Sequence, residues 1–373
     1  MADAPDIAQL AQELANSVGG VDYDAKEVHQ KRVALHQAMP QASVDELAAA
    51  LNVLVERVST WKLEDADGVA YAALTAGALI ENGAPSRPLA EVLLAKIPVV
   101  LRAARAYADL CIKDLASQEE EEENPPDEED IMMEVDSRSV THSVFQAHLK
   151  HDRGSASALA MLQMWTLPTV AALSRDRELF VKATQDEGLR QLTRSLVDSP
   201  AHWLDVLLGA QLDAPWLALC PMEKRGFEIK MDGVVSNFDL HALAADALLD
   251  QGIPGERNPK DVIDFIRGNV PSRSTDTVSG TFQFYNWTAA GYDWSTSSHP
   301  AGAWVWGEGR PEDVPFFQGV RALIVGPQTI QRSWGAPRTF GGLRCDVTVV
   351  RELTADEYEA KMEAMRKALQ PEE

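Results

Sequence analysis

Apolar positions recur at helical spacing through the first 117 residues. The first set ends at Gly19-Gly20, and its members are Ile7, Leu10, Ala11 and Leu14. Further on, Ser43 and Glu46 have the spacing of a capping box, in which each side chain satisfies the other residue's free amide. Pro88 lies at the start of a long periodic segment, where proline is favoured because its missing N–H is not needed. The pattern predicts a helical region over residues 1–117.

Breaks in this pattern are about twenty residues apart, so a pair of helices would occupy about forty residues. The breaks fall near Gly20, Pro40, Glu64 and Gly83. A period of about forty is typical of HEAT and armadillo arrays, but no residue signature repeats between the units. An irregular bundle accounts for the same breaks, so both arrangements remain open.

Helical spacing resumes over residues 138–218 and then changes to alternation. Phe227, Ile229 and Met231 alternate with polar residues, as in a strand with one buried face. A capping box that begins at Thr354 starts the last helix. Between these points the pattern predicts a helix at 238–249 and further strands at 282–287, 304–306, 322–325 and 343–350.

The predicted fold class is α+β and multidomain, with a helical N-terminal region that is either a bundle or a HEAT/armadillo-like array, and a C-terminal mixed α/β domain rich in aromatics. The boundaries follow the changes of pattern. They give a helical region at 1–117, an acidic disordered linker or loop at 118–137, a continuation of the helical region at 138–218, the mixed α+β domain at 219–353, and a C-terminal helix and tail at 354–373.

Charge narrows the choice of partners. The chain has a formal net charge of -23 and a pI of about 4.7, which repels phosphate backbones and anionic lipid headgroups, so neither nucleic acid nor a membrane surface is an expected partner. Eleven acidic residues and no Lys or Arg lie between Glu119 and Asp136. This tract is either an acidic segment that attracts a basic partner or a solvated spacer.

The cellular location is predicted from three signals that the sequence lacks. No apolar run approaches the roughly 18 to 20 residues that cross a bilayer, and the N-terminus has acidic residues where a secretory signal has basic ones. The three cysteines, Cys111, Cys220 and Cys345, lie far apart without a Cys-x-x-Cys pair. The protein is therefore expected to be cytoplasmic, without a disulfide framework, a cysteine zinc site or a cofactor.

The candidate binding site is chosen from the tryptophans, because six of the nine lie in the last part of the chain, after residue 213. In a strand, Trp304 and Trp306 share one face, and Glu308 and Arg310 come just after them. Such an aromatic platform with polar neighbours suits a flat ligand, a sugar, a cation or a partner's anchor, although the indoles could equally fill the core. The turn-rich segment 287–302 and the rim near residue 332 add further candidates. The candidate binding residues are Trp287, Trp294, His299, Trp304, Trp306, Glu308, Arg310, Arg332 and Trp334.

Catalytic motifs are absent from the sequence. It has no Gly-x-Ser-x-Gly elbow, no phosphate-binding loop and no dinucleotide-binding glycine pattern. His241 lies two residues from Asp239, a spacing at which helical side chains do not face each other, so His241 is interpreted as a packed or capping histidine behind an Asn237 cap. No catalytic residue and no metal site are predicted.

The predicted function is non-catalytic binding, as an adaptor or regulatory protein that recognises a protein partner or a small ligand through its C-terminal domain. One alternative is a hydrolase or transferase in which Glu308 or Asp313 acts as acid or base beside Trp304 and Trp306. Another is a structural component of a homo-oligomeric assembly. The oligomeric state is not predicted.

Overall fold

The computed structural model describes most of the chain: residues 6–19, 23–63, 66–119, 152–196, 199–270, 277–294, 301–336 and 338–370. It combines helices with a mixed sheet, and the predicted α+β class is confirmed. The chain divides into two compact units, Met1–Leu208 (unit 1) and Gly209–Glu373 (unit 2). Apart from the end of one helix at Glu119, the predicted acidic loop lies outside the described residues.

Helices make up the described part of unit 1. The capping box at Ser43 is present in full, and aspartate side chains cap the starts of five other helices. The helices are α1 (Ile7–Ser17), α2 (Ala25–Ala38), α3 (Val44–Ser59), α4 (Ala66–Glu81), α5 (Arg87–Glu119), α6 (Arg153–Ala160), α7 (Leu162–Leu173), α8 (Arg177–Thr184), α9 (Glu187–Arg194) and α10 (His202–Leu208).

Close packing joins helices of unit 1 that are distant in sequence. Helix α4 packs against α7, and α5 packs against both α6 and α7. A Cβ atom at Gly77 of α4 would lie 2.9 Å from Cα of Pro168 in α7, so only glycine permits this approach. Of the described helices, none alone has the length and apolar composition of a membrane span, and α6 and α7 reach it only together, across a bend of 58°.

A six-stranded sheet organises unit 2. The strands of this unit are β1 (Ala214–Cys220), β2 (Arg225–Asp232), β3 (Thr277–Ser279), β4 (Gln283–Asn286), β5 (Phe316–Phe317), β6 (Val320–Gly326), β7 (Ser333–Gly335) and β8 (Asp346–Glu352). The order in the sheet is β4-β6-β1-β2-β8, with β5 paired to β6, and β1 and β6 are parallel while the other pairs are antiparallel. Strands β3 and β7 form a separate antiparallel pair.

Helices cover both faces of this sheet. On one face, α11 (Asn237–Asp250) and α12 (Lys260–Ile266) pack on Trp216, Phe227 and Leu323. On the other, α13 (Ala355–Ala368) packs on a second buried set, which includes Leu217, Tyr285 and Ile324. Central strands are therefore apolar on both sides, whereas β2 keeps the predicted alternation, with Phe227, Ile229 and Met231 buried.

Two predicted elements differ from the structure. The first strand begins at Ala214, inside the stretch predicted to be helical through residue 218, because a short apolar run buried on both faces has no period that separates strand from helix. The predicted strand at 304–306 is wrong. Only Trp304 pairs, through a single bridge to Tyr285, and the following peptide groups turn toward α11.

Candidate functional site

Two tryptophans form a stacked pair at the surface of unit 2. The ring centroids of Trp304 and Trp306 are 4.2 Å apart with an interplanar angle of 32°. The Arg332 guanidinium carbon lies 4.9 Å from the Trp304 ring centroid, within the range of a cation–π contact. Trp306 is 50% exposed. The Trp306 indole is therefore exposed to solvent on its outer side and is held by Trp304 on its inner side.

The first two turns of α11 hold the segment that carries this stack. Ser236 caps the helix, and Asn237 donates from its backbone N to Gly309 O (3.1 Å) and from Nδ2 to Trp306 O (2.7 Å). A Cβ atom at Gly307 would lie 2.4 Å from the Phe238 ring, so glycine lets that ring pack against the turn. The backbone around Trp306 is thus fixed by a rigid element rather than by a free loop.

His241, one turn further along α11, completes this support. Its Nε2 atom lies 2.8 Å from Val305 O, and because a carbonyl only accepts, Nε2 must carry the proton. Burial, and secondarily the charge of Arg332, lower the pKa of His241 to about 4, so the ring is neutral near pH 7. The ring also packs against Phe284 and Trp334 at centroid distances of 5.1 and 6.2 Å.

A small pocket adjoins the stack. Its volume is about 10 Å³, which is room for about one water molecule. Among its lining residues, Arg332 has the permanent charge, and its Nη2 atom lies 3.7 Å from Glu308 Oε1. The pocket is lined by His241, Gly280, Phe282, Gln283, Trp304, Gln328, Ile330, Arg332 and Trp334.

Five of the nine candidate residues come together here, and three others contact different residues. Trp304, Arg332 and Trp334 line the pocket, Trp306 stacks on Trp304, and Glu308 pairs with Arg332. The remaining candidates are as follows: Trp287 packs on Phe317, Trp294 packs on Tyr285, Arg310 pairs with Glu312, and His299 lies outside the described residues.

Sequence reasoning missed the residues that position the site. Asn237 is the first residue of α11 and not its cap, which is Ser236. His241 is buried, as interpreted, but it also lines the pocket. The spacing of Asn237 and His241, four residues apart, places both on one helix face and was the available signal. Their shared target, the backbone of 305–309, has no signature in the sequence.

The chemistry of the site is that of recognition groups: indoles, a guanidinium, amides and a neutral imidazole. Among the described ranges, no group of three or more His, Cys, Asp or Glu side chains is arranged to hold a metal ion. The Glu308 side chain is 68% exposed. No protein-family model, curated protein or solved structure matches the chain.

Proposed function

We propose that this protein is a cytoplasmic, non-catalytic binding protein, an adaptor or regulator, whose unit 2 recognises a protein partner through the surface formed by Trp304, Trp306, Ile330 and Arg332. The observation that carries the proposal is the half-exposed Trp306, stacked at 4.2 Å on Trp304. Tryptophan and arginine dominate the binding energy of protein interfaces. Holding the indole in place before binding reduces the entropy lost on association.

Ile330 extends the apolar part of this surface. It lines the pocket and is itself half-exposed. The pocket beside these residues is too small to enclose a drug-sized ligand, which favours a partner that lies across the surface. The Glu308 side chain is mostly exposed, and the pocket beside it is too small to enclose a substrate. These features support binding over the hydrolase or transferase alternative.

For unit 1 we propose an irregular bundle rather than a HEAT/armadillo-like array. In an array each repeat contacts only its neighbours. Here α4 packs against α7, although α5 and α6 lie between them in the sequence. This contact supports the bundle.

Replacing Trp306 tests the proposed interface. We expect Trp306→Ala to weaken partner capture at least about tenfold, since truncating an anchor of this type costs about 2 kcal/mol or more of binding energy. Full-length wild-type and variant chains, immobilised at equal density in lysate of the native host, are compared by quantitative mass spectrometry. Circular dichroism melts check that the variant remains folded.

Trp203→Ala is the matched control, because Trp203 is 48% exposed and lies in unit 1. Proteins that depend on Trp306 and not on Trp203 are the expected partners. The proposal fails if the two variants retain the same proteins as the wild type. It also fails if Trp306→Ala lowers the melting temperature as a core truncation would, with no selective loss of a partner.

A further inference from the structure

Two tryptophans that line the pocket beside the stack have unpaired indole N–H groups. The indole Nε1 atoms of Trp304 and Trp334 are buried, and neither has a hydrogen-bond partner among the described residues. Both tryptophans line the pocket, together with the guanidinium of Arg332. An unpaired buried donor is destabilising, so an acceptor bound at this pocket would satisfy groups that the described residues leave unpaired.

The charge at the pocket is positive, which favours an anionic acceptor. Arg332 faces Glu308 at 3.7 Å, which is beyond hydrogen-bond distance and leaves only an ion pair. Because the Glu308 side chain is mostly exposed, water and salt screen that pairing. His241 adds no positive charge near pH 7, since its ring is neutral. The permanent charge at the pocket wall is therefore that of a guanidinium.

We infer that this pocket takes a carboxylate of the bound partner, with Arg332 and the indole N–H groups of Trp304 and Trp334 as its donors. A carboxylate has two oxygens with about four acceptor sites and matches the fork of a guanidinium. One oxygen of a carboxylate is about the size of the water molecule for which this pocket has room, whereas a bulky side chain would not fit. The inference rests on the proposed function, in which the rest of the partner lies across Trp306 and Ile330.

Four small probes test the chemistry without knowledge of the partner. One pair is acetyl-Gly-Gly-Ala with a free C-terminal carboxylate and the same peptide amidated. The other pair is acetyl-Gly-Glu-Gly-amide and acetyl-Gly-Gln-Gly-amide. Each is titrated into the full chain labelled with 5-fluorotryptophan, and the fluorine signals of Trp304 and Trp334 are followed, after assignment with the Trp304→Phe and Trp334→Phe variants.

We expect the acid member of one pair to shift both signals saturably, with a Kd at least about tenfold tighter than that of its amide. The pair that responds shows whether the pocket accepts a chain terminus or an acidic side chain. Arg332→Gln should abolish the preference for the acid. Arg310→Gln, which removes a neighbouring arginine that does not line the pocket, should keep it.

Equal shifts with acid and amide, or no saturable shift with any probe, would overturn the carboxylate assignment. This result is separable from a failure of the proposed function. If the pocket prefers acids while Trp306→Ala leaves partner capture unchanged, the anchor chemistry stands and the interface proposal fails. If partner capture depends on Trp306 but no probe is preferred, the interface stands and the anchor is a different group.

Discussion

Gly233→Ala is expected to destabilise unit 2 by about 3 kcal/mol or more. Gly233 follows β2 with φ of +70°, a backbone conformation that residues with a Cβ atom adopt only with strain. A Cβ atom there would lie 1.9 Å from Arg344 O and 3.2 Å from Cys345 Cα. Both contacts are with backbone, which cannot rotate away, so the segment that leads into β8 has to shift.

Urea denaturation of the full chain, followed by tryptophan fluorescence, measures this loss. Gly341→Ala is the matched control, since a Cβ atom at Gly341 has nothing within 4 Å and its φ lies outside the left-handed region. The control should unfold within about 0.5 kcal/mol of the wild type. Equal unfolding midpoints for the two variants would contradict the tight approach of Gly233 to the segment that leads into β8.

Asp239→Asn is expected to stabilise unit 2 at pH 8 by a few kcal/mol and to change little at pH 4. Asp239 lies in the first turn of α11, fully buried, and its Oδ1 atom has no hydrogen-bond partner among the described residues. Burial raises the pKa of Asp239 to about 7, while the hydrogen bond with Ser236 opposes that rise. The Cys345 thiol and Arg338 line the same small pocket.

The direction of this pH dependence follows from proton binding in the folded and unfolded states. Because the folded-state pKa is raised, the contribution of Asp239 to stability is full below its ordinary pKa of 3.8 and is lost as the pH rises toward 7. Asparagine, which does not ionise, avoids that loss. His241 has the opposite effect, since its lowered pKa makes its contribution full above about 6.5 and lost as the pH falls toward 4.

Unfolding free energies of both chains, measured by urea denaturation from pH 4 to pH 8, test this account. The difference between Asp239→Asn and wild type should grow from pH 4 to about pH 7 and level off above that. Asp250→Asn is the control on the same helix, because Asp250 is exposed and paired with Arg257, and removing it should cost less than about 1 kcal/mol. A difference that stays constant with pH would show that Asp239 is ionised in the folded protein throughout.

Local signals in the sequence predicted much of the fold. The capping boxes at Ser43 and Thr354 lie where helices begin, because a cap depends on residues only three apart. The end of α11 was also predictable, since Gly252 has φ of +78° just past the helix. Strand β1 was not, because its burial on both faces depends on helices that are far away in the sequence.

The candidate site was predictable in residue type and not in geometry. Indoles and guanidinium groups suit recognition, so the sequence predicts Trp304, Trp306 and Arg332 as binding residues, and these three do meet in the structure. Their support was not predictable. Asn237 and His241 act through hydrogen bonds to the carbonyls of Trp306 and Val305, more than sixty residues away, and a backbone carbonyl leaves no trace in a sequence.

Site-specific crosslinking is the most direct test of the central claim that the Trp304–Trp306 surface contacts a partner. Full-length chains with the photoreactive p-benzoylphenylalanine in place of Glu308, the exposed neighbour of Arg332, or in place of Trp203 as the control, are irradiated in the native host. The account predicts one dominant heterologous crosslinked protein at position 308 that is absent at position 203. No crosslink at position 308, or the same products at both positions, would contradict it.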